Sequence, residues 1–424
     1  MQVEQEPIKT TEDILALNRD CYCFPVERTS VEQAVLSLSA HADMQAMLDK
    51  RANYFASTAV FISQTDQDSM LEQITAIETL VQTEAYQQTV LERASNSSFP
   101  AAQAKTKGAF MGYDFHMTPD GPRLIEINSN AGGAFIVNAL YKAIGKPELE
   151  FDASIANMFA SEWALAGRDT ELRNIAIVES APEDQFHYPD MCLAADSLRR
   201  QGFKVIITDP EALAYRDGGL YVGDFAVDLV YNRLTDFSLT EPDSKNLRQA
   251  FMENTVVVTP APHHHTLFAD KQNLTLMSDT AKLETMGISK KLRSVLGTIP
   301  KTIVVTPENL DHLWENRKKY FFKPHAGYGS RAAYRGAKLT KKVWRAISEG
   351  SYVAQEFISP SVRAVTRPSD QTELKFDMRI YTYNGRPLLK AARVYQGQTT
   401  NLRTEGGGLA PVLLTVKHCE EHTQ

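Results

Sequence analysis

The sequence has few of the features that mark disulfide-stapled, secreted or membrane-spanning proteins. Its 424 residues include only four cysteines, and none of these forms a CxxC pair or has the spacing of a structural zinc site. No run reaches the ~18 uninterrupted apolar residues that cross a bilayer. The amino terminus also lacks the basic and apolar regions of a signal peptide. We therefore expect a cytoplasmic protein with reduced thiols and no membrane partner.

The sequence also has no excess of basic residues. It contains 45 Lys and Arg against 52 Asp and Glu, and the net charge is −7. Proteins that bind nucleic acids usually carry a clustered basic face, so we expect no nucleic-acid partner. The length is sufficient for two or three domains, each with its own core.

The amino-terminal part contains no glycine before Gly108. Apolar residues recur there at steps of three and four, which predicts a helical layer over 11 to about 95. A hairpin is predicted over 108–128, and a strand, a helix and a strand follow from Asn174, as in a small parallel sheet. We predict a first region over 1–168, a small Rossmann-like domain over 169–262 and a third domain over 263–424.

Three oxygen-bearing side chains lie on the predicted hairpin. Glu126 and Asn128 are two residues apart, so they share one face of a strand. A loop with an odd number of residues would place Asp114 opposite one of them. Two carboxylates and an amide oxygen suit Mg²⁺, which leaves its other positions to water and phosphate oxygens. The alternative is an acidic exposed hairpin that binds no metal.

A second group of residues surrounds the segment KPHAGYGSR. Lys323 ends an apolar strand and is followed by glycines, which offers a charge and a flexible backbone to phosphate oxygens. The segment is not a P-loop, and a plain glycine turn is an equal alternative. The strand YVAQEFI follows, and it could present backbone groups to a purine and Glu356 to the base or ribose.

A third group lies on a pair of long strands joined by Asn384-Gly385. Asp377 and Arg379 share a face by the period of two. Arg379 and Arg393 are candidates for stabilising negative charge that develops during a reaction. Ordinary ion pairing on a surface strand pair is the alternative for either arginine alone.

Together these segments resemble the ATP-grasp superfamily of carboxylate–amine ligases. GYDF…DGPRLIEINSNAGG is similar to the metal-binding end of that fold, KPHAGYGSR to its phosphate-covering loop and AQEFI to its adenine hinge. The run FDMRIYTYNGRPLLKAARVYQGQTTNLRTEGGG is similar to that of the glutathione synthetases. The metal hairpin comes first here and last in most ATP-grasp ligases. The chain therefore resembles a circularly permuted member, with the arrangement of the eukaryotic glutathione synthetases.

This resemblance implies a mixed α/β (α+β) ATP-grasp fold, ATP and Mg²⁺ as cofactors, and small acid and amine substrates. Related ligases are often dimers, which leaves a homodimer open. The implied roles fall into four sets. The implied metal ligands are Asp114, Glu126 and Asn128; the nucleotide-binding residues are Lys271, Lys323, Gly327, Gly329, Ser330, Gln355, Glu356, Phe357 and Ile358; the substrate-binding residues are Arg233, Asn130, Gly132 and Gly133; and the catalytic residues are Arg379, Arg393 and Asn401.

The sequence departs from the permuted glutathione synthetases in the glycine loop. That family places a metal-binding glutamate four residues after the loop lysine, where this chain has Gly327, and His325 and Tyr328 stand among the glycines. The expected activity is ATP-dependent ligation of a small amino acid or peptide-like acid through an acyl phosphate. A small-molecule kinase and a nucleotide-binding regulatory protein without turnover are the alternatives.

Overall fold

A computed structural model describes residues 11–21, 24–94, 103–325, 327, 332–366 and 371–415. Within these ranges the helices are α1 Thr11–Asp20, α2 Arg28–Leu38, α3 Met44–Asp49, α4 Gln64–Val81, α5 Glu84–Arg93, α6 Ala134–Ala143, α7 Phe151–Leu165, α8 Tyr188–Arg200, α9 Lys245–Met252, α10 Pro262–His264, α11 Asn273–Met277, α12 Thr280–Thr285, α13 Lys290–Leu296, α14 Leu310–Glu315 and α15 Lys341–Glu349.

The strands of the same ranges are β1 Val60–Ile62, β2 Met111–Thr118, β3 Gly121–Asn128, β4 Asn174–Val178, β5 Lys204–Thr208, β6 Leu213–Arg216, β7 Gly219–Val222, β8 Phe225–Val227, β9 Leu229–Asn232, β10 Val257–Thr259, β11 Thr302–Val304, β12 Tyr320–Pro324, β13 Tyr334–Arg335, β14 Tyr352–Glu356, β15 Ser361–Thr366, β16 Gln371–Tyr383, β17 Arg386–Tyr395, β18 Gly408–Ala410 and β19 Val412–Leu414.

The amino-terminal layer is mostly helical, as its periodicity predicts, but it also contains β1. This strand pairs in parallel with β19, close to the opposite end of the chain. The longest helix of the layer, α4, begins at a capping box in which Ser63 and Asp66 exchange hydrogen bonds. Cys21 is disulfide-bonded, which corrects the expectation of reduced thiols, while Cys192 is a free, buried cysteine. Among the described helices, none has the length and apolarity needed to span a bilayer.

The largest sheet joins the early hairpin to the late strands in the order β18-β17-β16-β2-β3, and β15 also pairs with β16. Side chains alternate between its faces. Apolar residues on one face pack against α4 in a core that includes Tyr113, Ile127 and Met378. The other face carries the polar residues Asp114 and Arg379, which lie opposite each other on β2 and β16.

A smaller antiparallel sheet, β11-β14-β12-β13, carries Lys323 on β12, and the hinge segment 355–358 begins at the end of β14. Its core is separate and packs Phe322 and Ala354 against Ile347 of α15. The two sheets enclose a cleft between them, and residues of both sheets line it.

The middle of the chain forms a parallel sheet in the order β10-β9-β4-β5. The chain runs from β4 outwards to β5 and then returns to β9 on the other side of β4. Between β4 and β9 the strand order therefore reverses, and the carboxyl ends of two such strands form a crevice in which α/β proteins bind ligands.

Candidate active site

The β2–β3 hairpin brings Asp114 and Glu126 opposite each other. The turn itself has two residues, Pro119 and Asp120, between the paired Thr118 and Gly121, and Gly121 adopts φ +97°. An even loop alone would put Asp114 and Glu126 on opposite faces. The register shifts next to Asp114 because Ile125 is bulged out of the ladder, and this extra residue restores the shared face.

Asp114 is fully buried and accepts hydrogen bonds from both arginines that the sequence singles out. Arg379 binds it in a fork, Nε to Oδ1 and Nη2 to Oδ2, both at 2.7 Å. Arg393 donates to Oδ2 at 2.7 Å, and Asn128 donates to the same oxygen at 3.0 Å. Burial raises the pKa of Asp114, but the two guanidinium groups outweigh it and hold the pKa at about 2.

Arg393 is held from a second side by Asp377, whose Oδ1 accepts from its Nε at 2.6 Å. Thr400 donates to the other oxygen of Asp377. Two carboxylates and two arginines therefore alternate in one buried row, which balances the charges away from water. The row fixes the guanidinium groups in place before any ligand arrives.

Glu126 and Asn128 differ from Asp114 in what surrounds their oxygens. Burial raises the pKa of Glu126, but Lys271 and Lys323 outweigh it and lower the pKa below its ordinary value, so the carboxylate is charged. Its Oε1 lies 2.9 Å from the Lys271 ammonium, and its side chain is 26% exposed. The amide nitrogen of Asn128 donates to Asp114, and its Oδ1 has no hydrogen-bond partner in the described part of the chain. One carboxylate and one amide oxygen fit Mg²⁺ bound to phosphates, whereas Asp114 has both oxygens engaged by donors.

The two sequence-predicted lysines flank the same carboxylate. Lys271 also donates to the carbonyl of Gly327 at 2.6 Å. Lys323 donates to the carbonyl of the bulged Ile125 at 2.8 Å and to Gln355 Oε1 at 2.9 Å. Burial lowers the pKa of Lys323 to about 8. The two ammonium groups thus lie between the hairpin, the glycine loop and the hinge.

The cleft between the two sheets contains a cavity of about 310 Å³. Glu126, the two lysines and Gly327 lie at its wall, together with the four hinge residues Gln355 to Ile358. Gln355 is buried, and its Nε2 has no hydrogen-bond partner in the described part of the chain. The predicted nucleotide residues Gly329 and Ser330 lie outside the described residues.

Asn401, the third predicted catalytic residue, does not reach the arginine row with its side chain. Its amide donates to the carbonyl of Gln396 at 2.7 Å, and its Oδ1 accepts from the backbone of Arg403 at 3.0 Å. These bonds stay within the loop after β17. Its neighbour Thr400 is the loop residue that contacts the row.

The predicted substrate residues assemble at the crevice between β4 and β9. Arg233 follows β9, is 6% exposed and donates to the carbonyl of Asn130 at 2.6 Å. A Cβ at Gly132 would lie 2.6 Å from Arg233 Nη2, so a larger residue there would displace the guanidinium from its present position. The N–H of Gly133 is taken by Asp190, which also accepts from Phe135 and Ile136 at the start of α6.

Glu179 is a residue of this crevice that the sequence reasoning missed. It follows β4 directly, is 9% exposed and accepts from the N–H of Ser180 at 3.0 Å. Burial raises the pKa of Glu179 to about 7, and the charge of the nearby Arg233 opposes that shift. The Nε of Arg233 is buried without a partner in the described part of the chain. Glu179 follows β4 directly, and Arg233 follows β9, the strand paired with β4. Once the strand order is known, these positions indicate that the two residues lie next to each other.

Comparisons with known proteins bear on the fold. No protein-family model and no curated protein matches the sequence. Among solved structures, a glutathione synthetase-like effector from Globodera pallida is 12% identical with a TM-score of 0.51, and the match covers 93% of this chain and 100% of that one.

Two further structures match less closely. A putative gamma-glutamylcysteine synthetase from Methylobacillus flagellatus is 12% identical (TM-score 0.45), over 78% of this chain and 85% of that one. The ATP-grasp ligase PsnB, complexed with a precursor peptide and AMPPNP, is 15% identical (TM-score 0.28), over 58% of this chain and 89% of that one. The match to the glutathione synthetase-like effector shows that this chain has the mixed α/β fold of that protein, in line with the sequence resemblance.

Proposed function

We propose that this chain is an ATP-dependent carboxylate–amine ligase that acts on a small amino acid or peptide-like acid through an acyl phosphate. The observation that carries the proposal is the convergence of Lys271, Lys323 and Glu126 at one cavity wall, beside the row that holds Arg379 and Arg393. A cleft of this kind provides the charges that phosphoryl transfer requires, because catalysis of that step consists mainly of positioning and charge stabilisation.

In this proposal the two lysines bind phosphate oxygens of ATP, and the hinge contacts the base. Glu126 and Asn128 hold Mg²⁺, which offsets phosphate charge when it is bound. Asp114 is assigned a different role from the one that the sequence resemblance implies. Since its oxygens already accept four hydrogen bonds, it positions Arg379 and Arg393 and does not bind the metal.

The reaction then proceeds in two steps. An oxygen of the acid's carboxylate attacks the γ-phosphorus, the bond to ADP breaks, and an acyl phosphate forms. The amine attacks the carbonyl carbon, the C–O bond to phosphate breaks, and the amide forms with loss of one proton from nitrogen. Arg379 and Arg393 stabilise the negative charge of the transferred group and of the tetrahedral intermediate.

The acid is held at the crevice between β4 and β9. The Nε–H of Arg233 has no acceptor within the described ranges and can donate to a carboxylate, and Glu179 can accept from an ammonium group. An amino acid or a peptide with a free amino-acid end carries both charges. These contacts favour such an acid over a simple monocarboxylate.

The test is release of ADP and phosphate from ATP and Mg²⁺ across a panel of amino acids, polyamines and dipeptides, singly and in pairs, with mass spectrometry of the products. A product at the condensed mass that requires both an acid and an amine is the expected result. A stable phosphorylated acceptor would identify a kinase instead, and the ligase proposal would be wrong.

A further inference from the structure

The side chain of His116 lies at the hinge end of the cavity, on the same face of β2 as Asp114. It lines the cavity together with Ile125, Phe357 and Ile358. The ring is half-buried, so part of it faces the space between the two sheets. Neither the motifs nor the sequence resemblance assigns a role to this residue.

The hydrogen bond of His116 fixes which ring nitrogen carries the proton. Nδ1 lies 2.8 Å from the carbonyl oxygen of Ile358. A carbonyl oxygen can only accept, so Nδ1 is the donor, and in the neutral ring Nε2 has a lone pair. Nε2 has no hydrogen-bond partner within the described ranges. The cavity therefore contains an oriented acceptor beside the hinge.

The surroundings keep the ring neutral at physiological pH. Burial lowers the pKa of His116 to about 4, and the positive charges of Lys323 and Arg393 add to that effect. The hydrogen bond to Ile358 and the charge of Asp114 favour the protonated ring but are outweighed. A second proton on the ring is therefore unfavourable, and Nε2 remains an acceptor.

The hinge backbone offers fewer groups to a base than an open strand would. The N–H of Glu356 donates to Lys301 and that of Phe357 to Lys319, both at 2.8 Å. The Ile358 carbonyl is already occupied by His116. The Nε2 atom of His116 is therefore the acceptor that this end of the hinge offers to a base.

We propose that His116 Nε2 accepts a hydrogen bond from the exocyclic 6-amino group of adenine and selects adenine over 6-oxopurine nucleotides. The inference rests on the proposed function, because it assumes that ATP occupies this cavity. A 6-oxo group would place an oxygen lone pair against that of Nε2, and neither could be satisfied there. Gln355 offers a donor where His116 offers an acceptor. Its Oε1 accepts from Lys323, and its Nε2 can donate to an acceptor atom of the base.

The test compares binding of ATP and inosine triphosphate, which lacks the 6-amino group, by isothermal titration calorimetry with Mg²⁺. The wild type should bind ATP about tenfold more tightly, the factor that corresponds to one hydrogen bond lost with its acceptor left unpaired. In His116→Leu the ratio of the two dissociation constants should fall towards one, through weaker ATP binding.

His116→Gln is the matched variant, because its amide can donate to the Ile358 carbonyl and accept from the base. It should keep the wild-type ratio. His312→Leu, on α14 and away from the cavity, controls for the loss of an imidazole. Equal weakening of both nucleotides in His116→Leu, with the ratio unchanged, would show a structural role and overturn the inference.

The proposed function and this inference fail in different ways. A wild type that binds both nucleotides with equal affinity would contradict the base selection and leave ATP binding intact. A wild type that binds neither nucleotide would contradict the proposed function, and the inference with it.

Discussion

Two buried arginines in this protein have opposite surroundings. Arg363 on β15 is fully buried, and its guanidinium donates to the carbonyls of Ala59 and Asn18, to Cys21 and to the hydroxyl of Thr58. Arg233 is almost as buried, but its Nε has no hydrogen-bond partner among the described residues, and the charge of Glu179 lies near it.

This difference in hydrogen bonding indicates that the charge of Arg363 serves the fold, whereas that of Arg233 serves ligand binding. Arg363 ties α1 and the segment before β1 to the large sheet through backbone carbonyls and the hydroxyl of Thr58. Arg233 lies at a strand-order reversal, where the fold leaves a crevice. An incompletely paired buried cation is costly to maintain, so we infer that a ligand completes its bonding. Substitutions should therefore reduce stability in the first region and activity in the second.

The largest effect is expected at Glu126. In Glu126→Ala the metal loses its only proposed carboxylate ligand, so ATP turnover should fall more than about 100-fold, since even indirect contacts to a metal ligand cost about 10- to 100-fold. The free energy of unfolding should also fall, by about 3 kcal/mol, because the buried ammonium groups of Lys271 and Lys323 lose the carboxylate between them. Turnover assays and urea unfolding check both, and near-normal turnover would remove Glu126 from the metal site.

Arg363→Met should lower the free energy of unfolding by about 3 kcal/mol, because several buried oxygens lose their donor. Urea unfolding measures the change, and the ATP dissociation constant should stay at its wild-type value. Arg173→Met, at an exposed position, is the control and should stay within about 0.5 kcal/mol of wild type. Wild-type stability in Arg363→Met would break the comparison between the two arginines.

Arg233→Ala should raise the KM of the acid about 100-fold and leave the KM of ATP unchanged, because truncating one partner of a buried charge contact costs a few kcal/mol. Steady-state kinetics with each substrate varied in turn check the prediction. An equal rise of both KM values would move Arg233 out of the substrate site.

Glu179 should make binding of the acid depend on pH. Since burial raises its pKa to about 7, the carboxylate that accepts from an ammonium group predominates above that pH. The kcat/KM for the acid should rise as pH increases through 7 in the wild type. In Glu179→Gln the rise should disappear and the value at pH 8 should be about tenfold lower. An unchanged pH profile would exclude contact with the ammonium group.

The smallest effect concerns Lys323, whose pKa burial lowers to about 8. Its charge is lost as pH rises, so ATP should bind about threefold more weakly at pH 8.5 than at pH 7.5. Lys323→Arg keeps its charge over that range and should show no such decline. A titration of ATP at both pH values in the two proteins distinguishes these cases.

Local sequence patterns predicted the elements better than the contacts of the site. Asn384 and Gly385 form the expected turn between β16 and β17, both with positive φ, because such a turn requires those residues. A hairpin loop with an odd number of residues was expected to place Asp114 opposite Glu126 or Asn128. This placement arises instead from the bulge at Ile125, which has no local marker in the sequence.

Other parts of the site depend on contacts between distant segments. The hairpin sequence alone could not show that Asp114 positions two arginines. Both arginines that donate to Asp114 lie on strands more than 250 residues later. The structural role of Arg363 was not predicted for the same reason, because its acceptors lie in the amino-terminal layer. Glu179 follows an apolar strand like many surface residues, and only the strand order places it opposite Arg233.

The most direct test of the ligase proposal replaces the unknown amine with hydroxylamine. The protein is incubated with ATP, Mg²⁺, hydroxylamine and single acids from a panel of amino acids and short peptides, and hydroxamate and ADP are measured together. We predict ATP-dependent hydroxamate in a one-to-one ratio with ADP for at least one acid, and its loss in Arg233→Ala. ADP release with a phosphorylated acid that hydroxylamine does not trap would contradict the account.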